Sequence, residues 1–219
     1  KLPNSLTSLP EGVFYSCNAL TGVTIPNSIK TIGRYAFQSC TKLSSVKLGT
    51  GVTTIGSCAF SNCDALKSIN LPASVQEMDY LAFDGSKNLT GIWVDAANKT
   101  YSNDSKGVLL SKDKATLVLA PQGLSGTYAI PGTVRTVANH AFYNCAKLKN
   151  ITIPNGVTIV DDYALAGCTG LTSISLPNTL TTIGISVFKD CDSLIGITTP
   201  DSVTTLDFNV FTYCDNLRY

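Results

Sequence analysis

Residues 20–42 read LTGVTIPNSIKTIGRYAFQSCTK, and most of the chain is a variation on that line. Shifted by 23, the pattern returns as Leu43, Val46, Leu48, Val52, Ile55, Gly56, Ala59, Phe60 and Cys63. Reduced to shared positions, the unit is L-x-x-I-x-[IL]-P-x-x-V-x-x-I-G-x-x-A-F-x-x-C-x-x. Units start at residues 20, 43, 66, 89, 125, 148, 171 and 194, after a partial unit holding Leu6, Leu9, Val13, Phe14 and Cys17. The unit starting at 89 runs to 124, a 23-residue repeat carrying a 13-residue insertion. Seven cysteines, at 17, 40, 63, 145, 168, 191 and 214, share one register, which chance does not produce.

Each position has a physical reading. Apolar residues at the fourth and sixth places (Val23/Ile25, Ile69/Leu71, Ile151/Ile153, Ile174/Leu176) alternate and are largely β-branched, so they predict a short strand with one buried face. The next residue is often Pro, as at 26, 72, 154 and 177, which lacks a ladder donor and ends that strand. A second apolar pair follows (Ile29/Ile32, Val52/Ile55, Val134/Val137, Leu180/Ile183). After it stands Gly33, Gly56 or Gly184, replaced elsewhere by Asp79, Asp161 and Asp207. Gly and Asp both tolerate left-handed backbone, so a positive φ is expected there. A metal reading of those aspartates lacks support, because the equivalent residues in other units carry no carboxylate. Ala-Phe and the following Cys suit one short helical turn.

One such unit cannot bury its own apolar face. Stacked units can, each strand pairing with its equivalent ~4.8 Å away, and eight to nine of them would make a rod roughly 40 Å long. The expected fold is therefore a leucine-rich repeat solenoid, mainly β with short parallel strands and short helical turns, spanning residues 1–219 as a single domain. On these motifs, residues 20–42 above all, the chain resembles the BspA-like leucine-rich repeat of bacterial surface proteins. The resemblance covers nearly the whole sequence and departs in the 89–124 unit. It implies a curved parallel-β solenoid, a cell-surface or secreted setting, adhesion or protein binding, and no catalytic residues.

Composition narrows the function classes. The 219 residues carry a net charge of +1 and are only 14% charged, against ~25% in an average domain. Nucleic acid and anionic membranes both call for a concentrated basic face, and a net charge this near zero argues against either as the main partner. No apolar run reaches the ~18–20 residues of a membrane span. There is no phosphate loop, G-x-S-x-G or H-E-x-x-H. Polar residues recur as columns of like kind instead of unlike groups converging on one pocket, so the chain is read as a non-enzyme without a cofactor. The single histidine, His140, falls in the surface-turn column that elsewhere holds Tyr35, Cys58, Leu81, Tyr163, Ser186 and Asn209. Asn88, Asn98, Asn103 and Asn150 open N-x-[ST] triplets, which matter only in a eukaryotic secretory pathway.

Three surfaces are candidate partner sites. The outward first-strand row includes Lys47, Asn70, Trp93, Thr152 and Ser175, a weakly charged face of the kind that holds protein ligands in leucine-rich repeats. A turn ridge carries Tyr35, Tyr80, Tyr143, Tyr163, Phe208 and Tyr213, and tyrosine offers contact area with a polar tip. The insertion, within about 95–124, brings Trp93 and Tyr101 beside two apolar runs, 108–110 and 116–119, that read as a β-hairpin. The expected partner is a protein, such as a host or matrix protein; a glycan is the alternative suggested by Trp93 and the exposed tyrosines. A structural spacer presenting another domain is the competing role. The ends, Lys1 part-way through a unit and Tyr219 just inside the next, lack polar caps, so the chain is expected to continue or to pair with another copy.

The cysteine column admits three states. Neighbours ~5 Å apart are within disulfide reach, yet parallel side chains give unsuitable Cβ vectors; a metal site would want C-x-x-C or more histidine. A ladder of buried thiols is the preferred reading. Alkylation under denaturing, non-reducing conditions then modifies all eight cysteines; a mass corresponding to fewer contradicts it.

Overall fold

The computed structural model describes residues 2–218; Lys1 and Tyr219, on which the expectation about the chain ends falls, lie outside the described residues. The fold is a β-solenoid of about eight coils of roughly 23 residues. It packs as two compact units, one running to Lys112 together with Pro121–Gly123, the other Asp113–Ala120 together with the chain from Leu124 onward.

In the first unit each coil supplies two short strands. Strands β1 (Ser8–Leu9), β3 (Thr31–Ile32), β5 (Thr54–Ile55) and β7 (Glu77–Met78) form one parallel sheet in that order. On the other row, β2 (Gly22–Thr24) pairs with β4 (Ser45–Lys47), and β6 (Ser68–Leu71) with β8 (Gly91–Val94). Partners are 23 residues apart, as in Val23↔Val46, Thr31↔Thr54 and Ile69↔Ile92, so equivalent side chains lie over one another. The second unit repeats the plan. Strands β12 (Gly126–Ala129), β14 (Leu148–Thr152) and β16 (Ser173–Ser175) form a three-stranded parallel sheet; β11 (Thr116–Leu119), β13 (Thr136–Val137), β15 (Ile159–Val160) and β17 (Thr182–Ile183) pair in parallel on the other row. The last coil departs from the pattern: residues 195–206 form no strand, so Thr198 sits in irregular chain instead of extending the β16 row.

Within each unit the core is a set of columns. Leu43, Leu66 and Leu89, and likewise Leu148, Leu171 and Leu194, are buried. Phe14, Phe37, Phe60 and Phe83 stack face to face at 5.1, 5.2 and 5.7 Å between centroids, and Phe188 stacks on Phe211 at 5.6 Å. Burying a ring such as Phe37, Phe60 or Phe188, each fully enclosed, removes apolar area worth ~1.5–3 kcal/mol.

The Ala-Phe segment is not a helical turn; the described residues contain no helix. Tyr35 and Ser39 both take left-handed backbone, at φ of 56° and 60°, and this alternation turns successive N–H groups in different directions. The N–H groups of Tyr35, Phe37 and Ser39 donate along the solenoid axis to the carbonyls of Ser57, Ala59 and Ser61 at 3.0, 2.8 and 2.8 Å. Those of Ala36, Gln38 and Cys40 donate three residues back, to Gly33, Tyr35 and Phe37, at 3.3, 3.1 and 3.2 Å. The second unit does the same: His140, Phe142 and Asn144 donate to Asp162, Ala164 and Ala166 at 3.0, 2.7 and 2.9 Å.

The positive φ expected at Gly33, Gly56 and Gly184 is absent there and lies two and six residues further on. Glycine is needed for a different reason, close approach of the neighbouring coil. A Cβ on Gly33 would stand 2.7 Å from the Leu9 carbonyl oxygen, and one on Gly184 would stand 2.6 Å from the Asp162 nitrogen. Where Asp replaces Gly, its carboxylate caps the turn instead: Asp79 Oδ1 accepts from Leu81 N–H at 2.8 Å and Asp207 Oδ1 from Phe208 N–H at 2.7 Å.

None of the eight cysteines, all among the described residues, is in a disulfide. Five thiols of the column donate to a carbonyl of the preceding coil: Cys40 to Phe14 at 3.1 Å, Cys63 to Phe37 at 3.2 Å, Cys168 to Phe142 at 3.2 Å, Cys191 to Leu165 at 3.4 Å and Cys214 to Phe188 at 2.9 Å. Ser86 takes the same place, donating to the Phe60 carbonyl at 2.7 Å and accepting from Cys63 N–H at 2.9 Å. The column therefore calls for a short side chain with a donor. Burial pushes the Cys63 thiol up from 9.0 to about 12.

In the insertion, β9 (Tyr101–Asn103) and β10 (Leu109–Ser111) pair antiparallel, with Leu109↔Asn103 and Ser111↔Tyr101. This hairpin is closed by residues 104–108, and β11, the second apolar run read from the sequence, pairs in parallel with β13. The hairpin is anchored by Asn98, which is fully buried. Its Nδ2 donates to the Pro72 and Val75 carbonyls at 3.0 and 2.9 Å, and its Oδ1 accepts from Thr100 and Tyr101 N–H at 2.8 Å each.

Asn98→Ala strands these buried groups and is expected to cost about 2–4 kcal/mol. Amide exchange across residues 101–111 should accelerate, while the exposed Lys99→Ala leaves both unchanged. The thiol column supplies a pH dependence. Because the folded thiol titrates higher than the unfolded one, its contribution is intact below pH 9.0 and is lost as pH rises toward about 12. Denaturation midpoints measured against pH should fall above about pH 9, and Cys63→Ser should remove part of that fall.

Candidate functional site

The first-strand row presents different chemistry in the two units. In the first, Thr24 pairs with Lys47 and Asn70 with Trp93, so these outward side chains form a file across neighbouring strands. Trp93 is 37% exposed, and it lies flat because Gly91 has no side chain: a Cβ there would meet indole Nε1, Cε2 and Cζ2 at 2.6–3.1 Å. Lys47, Asn70, Trp93, Ser45 and Asp95 line a groove of about 580 Å³. Nothing in the periodic motif marks Gly91 as special; its place two residues before a Trp is the one available signal.

In the second unit the row is smooth and neutral. Tyr128 in β12 points inward and is buried, leaving Ala129, Thr152 and Ser175 outward and in register. Beside them Ser173 Oγ donates to Asn150 Oδ1 at 2.7 Å. A second groove of about 600 Å³ lies between β16 and the irregular stretch at Ile195–Thr198, with Ile195 exposed.

The turn ridge resolves into separate places. Arg34 Nη2 donates to the Tyr35 hydroxyl at 3.0 Å and the guanidinium lies 5.1 Å from the ring centroid; Tyr80 is 44% exposed. In the second unit Tyr163 lies 23 residues after His140, and the two rings stack at 4.9 Å and 27°. The Tyr143 ring, tilted at 60°, lies 4.8 Å from His140. His140 Nδ1 contacts Asn139 Oδ1, and its backbone is left-handed, φ 59°. His140 thus sits half-buried against two tyrosines instead of standing alone in solvent; its 23-residue spacing from Tyr163 was the sequence signal for this. Lys189, paired to Asp190 at 2.8 Å, lies over Tyr213 at 5.5 Å. Tyr101 is half-buried, and burial pushes its phenol up against a hydrogen bond to the Met78 backbone.

The four N-x-[ST] asparagines all have their side chains engaged: Asn98 as above, Asn88 with the Asp64 carbonyl, Asn103 with Val94 N–H, and Asn150 with Ser173. Among the described residues no group of three or more His, Cys, Asp or Glu is placed to hold a metal, and no helix is long and apolar enough to cross a membrane.

The stacked 23-residue coils, with their Leu, Phe and Cys columns, match a family model described as BspA type leucine-rich repeat region, in six copies, over residues 1–104 and 126–219. The chain belongs to the BspA type leucine-rich repeat family. Solved bacterial structures share this solenoid fold. The pneumococcal vaccine antigen PcpA aligns with TM-score 0.80 at 23% identity, over 97% of this chain and 59% of that one, a likeness of fold. A leucine-rich repeat protein of Eubacterium ventriosum aligns with TM-score 0.78 at 29% identity, over 96% of this chain and 62% of that one. A leucine rich cell surface protein of Faecalibacterium prausnitzii aligns with TM-score 0.71 at 26% identity, over 98% and 62%. The chain thus spans about three fifths of each of these proteins. No curated protein sequence matches it. The BspA type repeat is a scaffold suited to binding proteins.

Proposed function

We propose that the chain is a non-enzymatic module, displayed at the cell surface or secreted, that binds a host or matrix protein through its second unit. The observation that carries this reading is the cluster of Tyr143, His140 and Tyr163. The His140 ring lies 4.8 Å from the tilted Tyr143 ring and 4.9 Å from the stacked Tyr163 ring, with His140 and Tyr163 on left-handed backbone, so the group is held together before any partner arrives. Rigid aromatic groups of this kind supply contact area at small entropic cost and dominate interfaces by truncation. The neutral hydroxyl row of Thr152 and Ser175 offers a second contact face with hydrogen bonds and little electrostatic steering. An extracellular setting draws support from the family and from neighbours named as a vaccine antigen and a cell surface protein. A passive spacer has no use for preorganised surface aromatics.

Binding of the chain to a panel of purified extracellular-matrix proteins, read by biolayer interferometry, tests the proposal. The double variant Tyr143→Ala/Tyr163→Ala should lose tenfold or more in affinity, about 1.4 kcal/mol or above. Thr152→Glu/Ser175→Glu reports whether the strand face takes part. A spacer would tolerate both, and a panel that no version of the chain binds would remove the protein-binding reading.

A further inference from the structure

The groove on the first unit carries chemistry that the second unit lacks. We infer that Trp93, Asn70, Lys47 and Asp95 form a binding site for neutral pyranose sugars of a glycan chain. This inference stands apart from the protein-binding proposal, because it uses a different unit and different side chains.

The first argument is the platform. Trp93 is held flat over the Gly91 backbone and remains 37% exposed, so one face of the largest aromatic in the chain is offered to ligand. A pyranose ring has an apolar C–H face and a polar rim, the shape such a platform suits, as an aromatic side chain combines contact area with a polar edge.

The second is the set of unused polar groups around that platform. Among the described residues the Asn70 amide, the Lys47 ammonium and the Trp93 indole N–H make no hydrogen bond to other protein groups. Asp95 uses Oδ1 to accept from Ala97 N–H at 2.8 Å, leaving Oδ2 open. The register places Asn70 directly beside Trp93. Donors and acceptors are thus both present at the rim, as vicinal hydroxyls require, since each hydroxyl donates one bond and accepts others.

The third is what the groove refuses. Lys47 and Asp95 carry opposite charges, so no net field selects an anion such as a phosphate or sulfate. An extended peptide would want an open strand edge to extend, whereas β8 is laddered to β6 and the groove offers side-chain tips. The volume of about 580 Å³ lies within the ~300–1,000 Å³ of small-ligand sites and is small for a protein interface.

Trp93 is the sole tryptophan, so indole emission, excited at the red edge where tyrosine does not absorb, reports this groove alone. Titration of the full chain with maltotetraose, cellotetraose, mannotetraose and tetra-N-acetylchitotetraose should give, for at least one, a saturable change in that emission. Asn70→Ala and Asp95→Ala should each weaken it by about fivefold or more. Gly91→Val, which pushes the indole off the strand, should abolish it. Where Gly91→Val fails to fold, the two alanine variants, checked by circular dichroism, decide. Thr152→Glu/Ser175→Glu and Tyr143→Ala/Tyr163→Ala should leave the response unchanged, which separates this outcome from the fate of the protein-binding proposal. No saturable change with any of the four up to ~10 mM, an undiminished response in Asn70→Ala, or a response to a pool of extended decapeptides alone would overturn it.

Discussion

A peptide N–H that points along the axis of a coil has one place to bond, the carbonyl of the coil beside it. The whole molecule follows from satisfying those groups in step. Left-handed residues such as Tyr35 and Ser39 set alternate N–H groups on the axis, and the 23-residue register delivers Ser57, Ala59 and Ser61 carbonyls to meet them. Once the backbone is locked in that register, side chains have no freedom to interleave. Like must lie over like, which is why phenylalanines stack nearly parallel, at interplanar angles of 4–13° in the first unit. The thiol column fills the remaining gap by donating to carbonyls that the ladder leaves with a spare lone pair.

Function then falls to positions outside the columns' constraint. A solenoid repeats its surface as faithfully as its core, so recognition has to come from departures. The second unit departs by setting His140 against two tyrosines, the first by laying a tryptophan over a glycine. Neither device carries much charge, in keeping with a chain whose net charge is +1. Recognition by such surfaces works through contact and short hydrogen bonds, so salt should affect it weakly.

The periodic features were legible in the sequence because period and burial report the same constraint. Alternation at Val23/Ile25 and Ile69/Leu71, the leucine column and the cysteine column all translated into paired strands and a buried file. Conformation at single residues was not. Gly33 was read as a left-handed position, since glycine's freedom of φ and its lack of a Cβ look identical in a sequence; here the missing Cβ is what matters. The left-handed places went instead to Tyr35, Cys58, His140 and Tyr163, whose identities give no hint of it, because the axial hydrogen bonds override local preference. Ala-Phe read as a helical turn for the same reason. At the candidate surfaces, residue types were visible while their neighbours were not: the His140–Tyr163 stack follows from register, but Tyr101's half-buried place against Met78 depends on the insertion, where the register lapses.

The presence of Ser86 among the thiols has an evolutionary edge. Cysteine and serine codons differ by a single base, and at this position either residue can supply the donor that the neighbouring carbonyl needs. Sulfur and oxygen can therefore be exchanged one coil at a time, without an intermediate that has to be rescued elsewhere. The scaffold does not depend on thiol chemistry as such, and Ser86 is the coil in which a hydroxyl already serves.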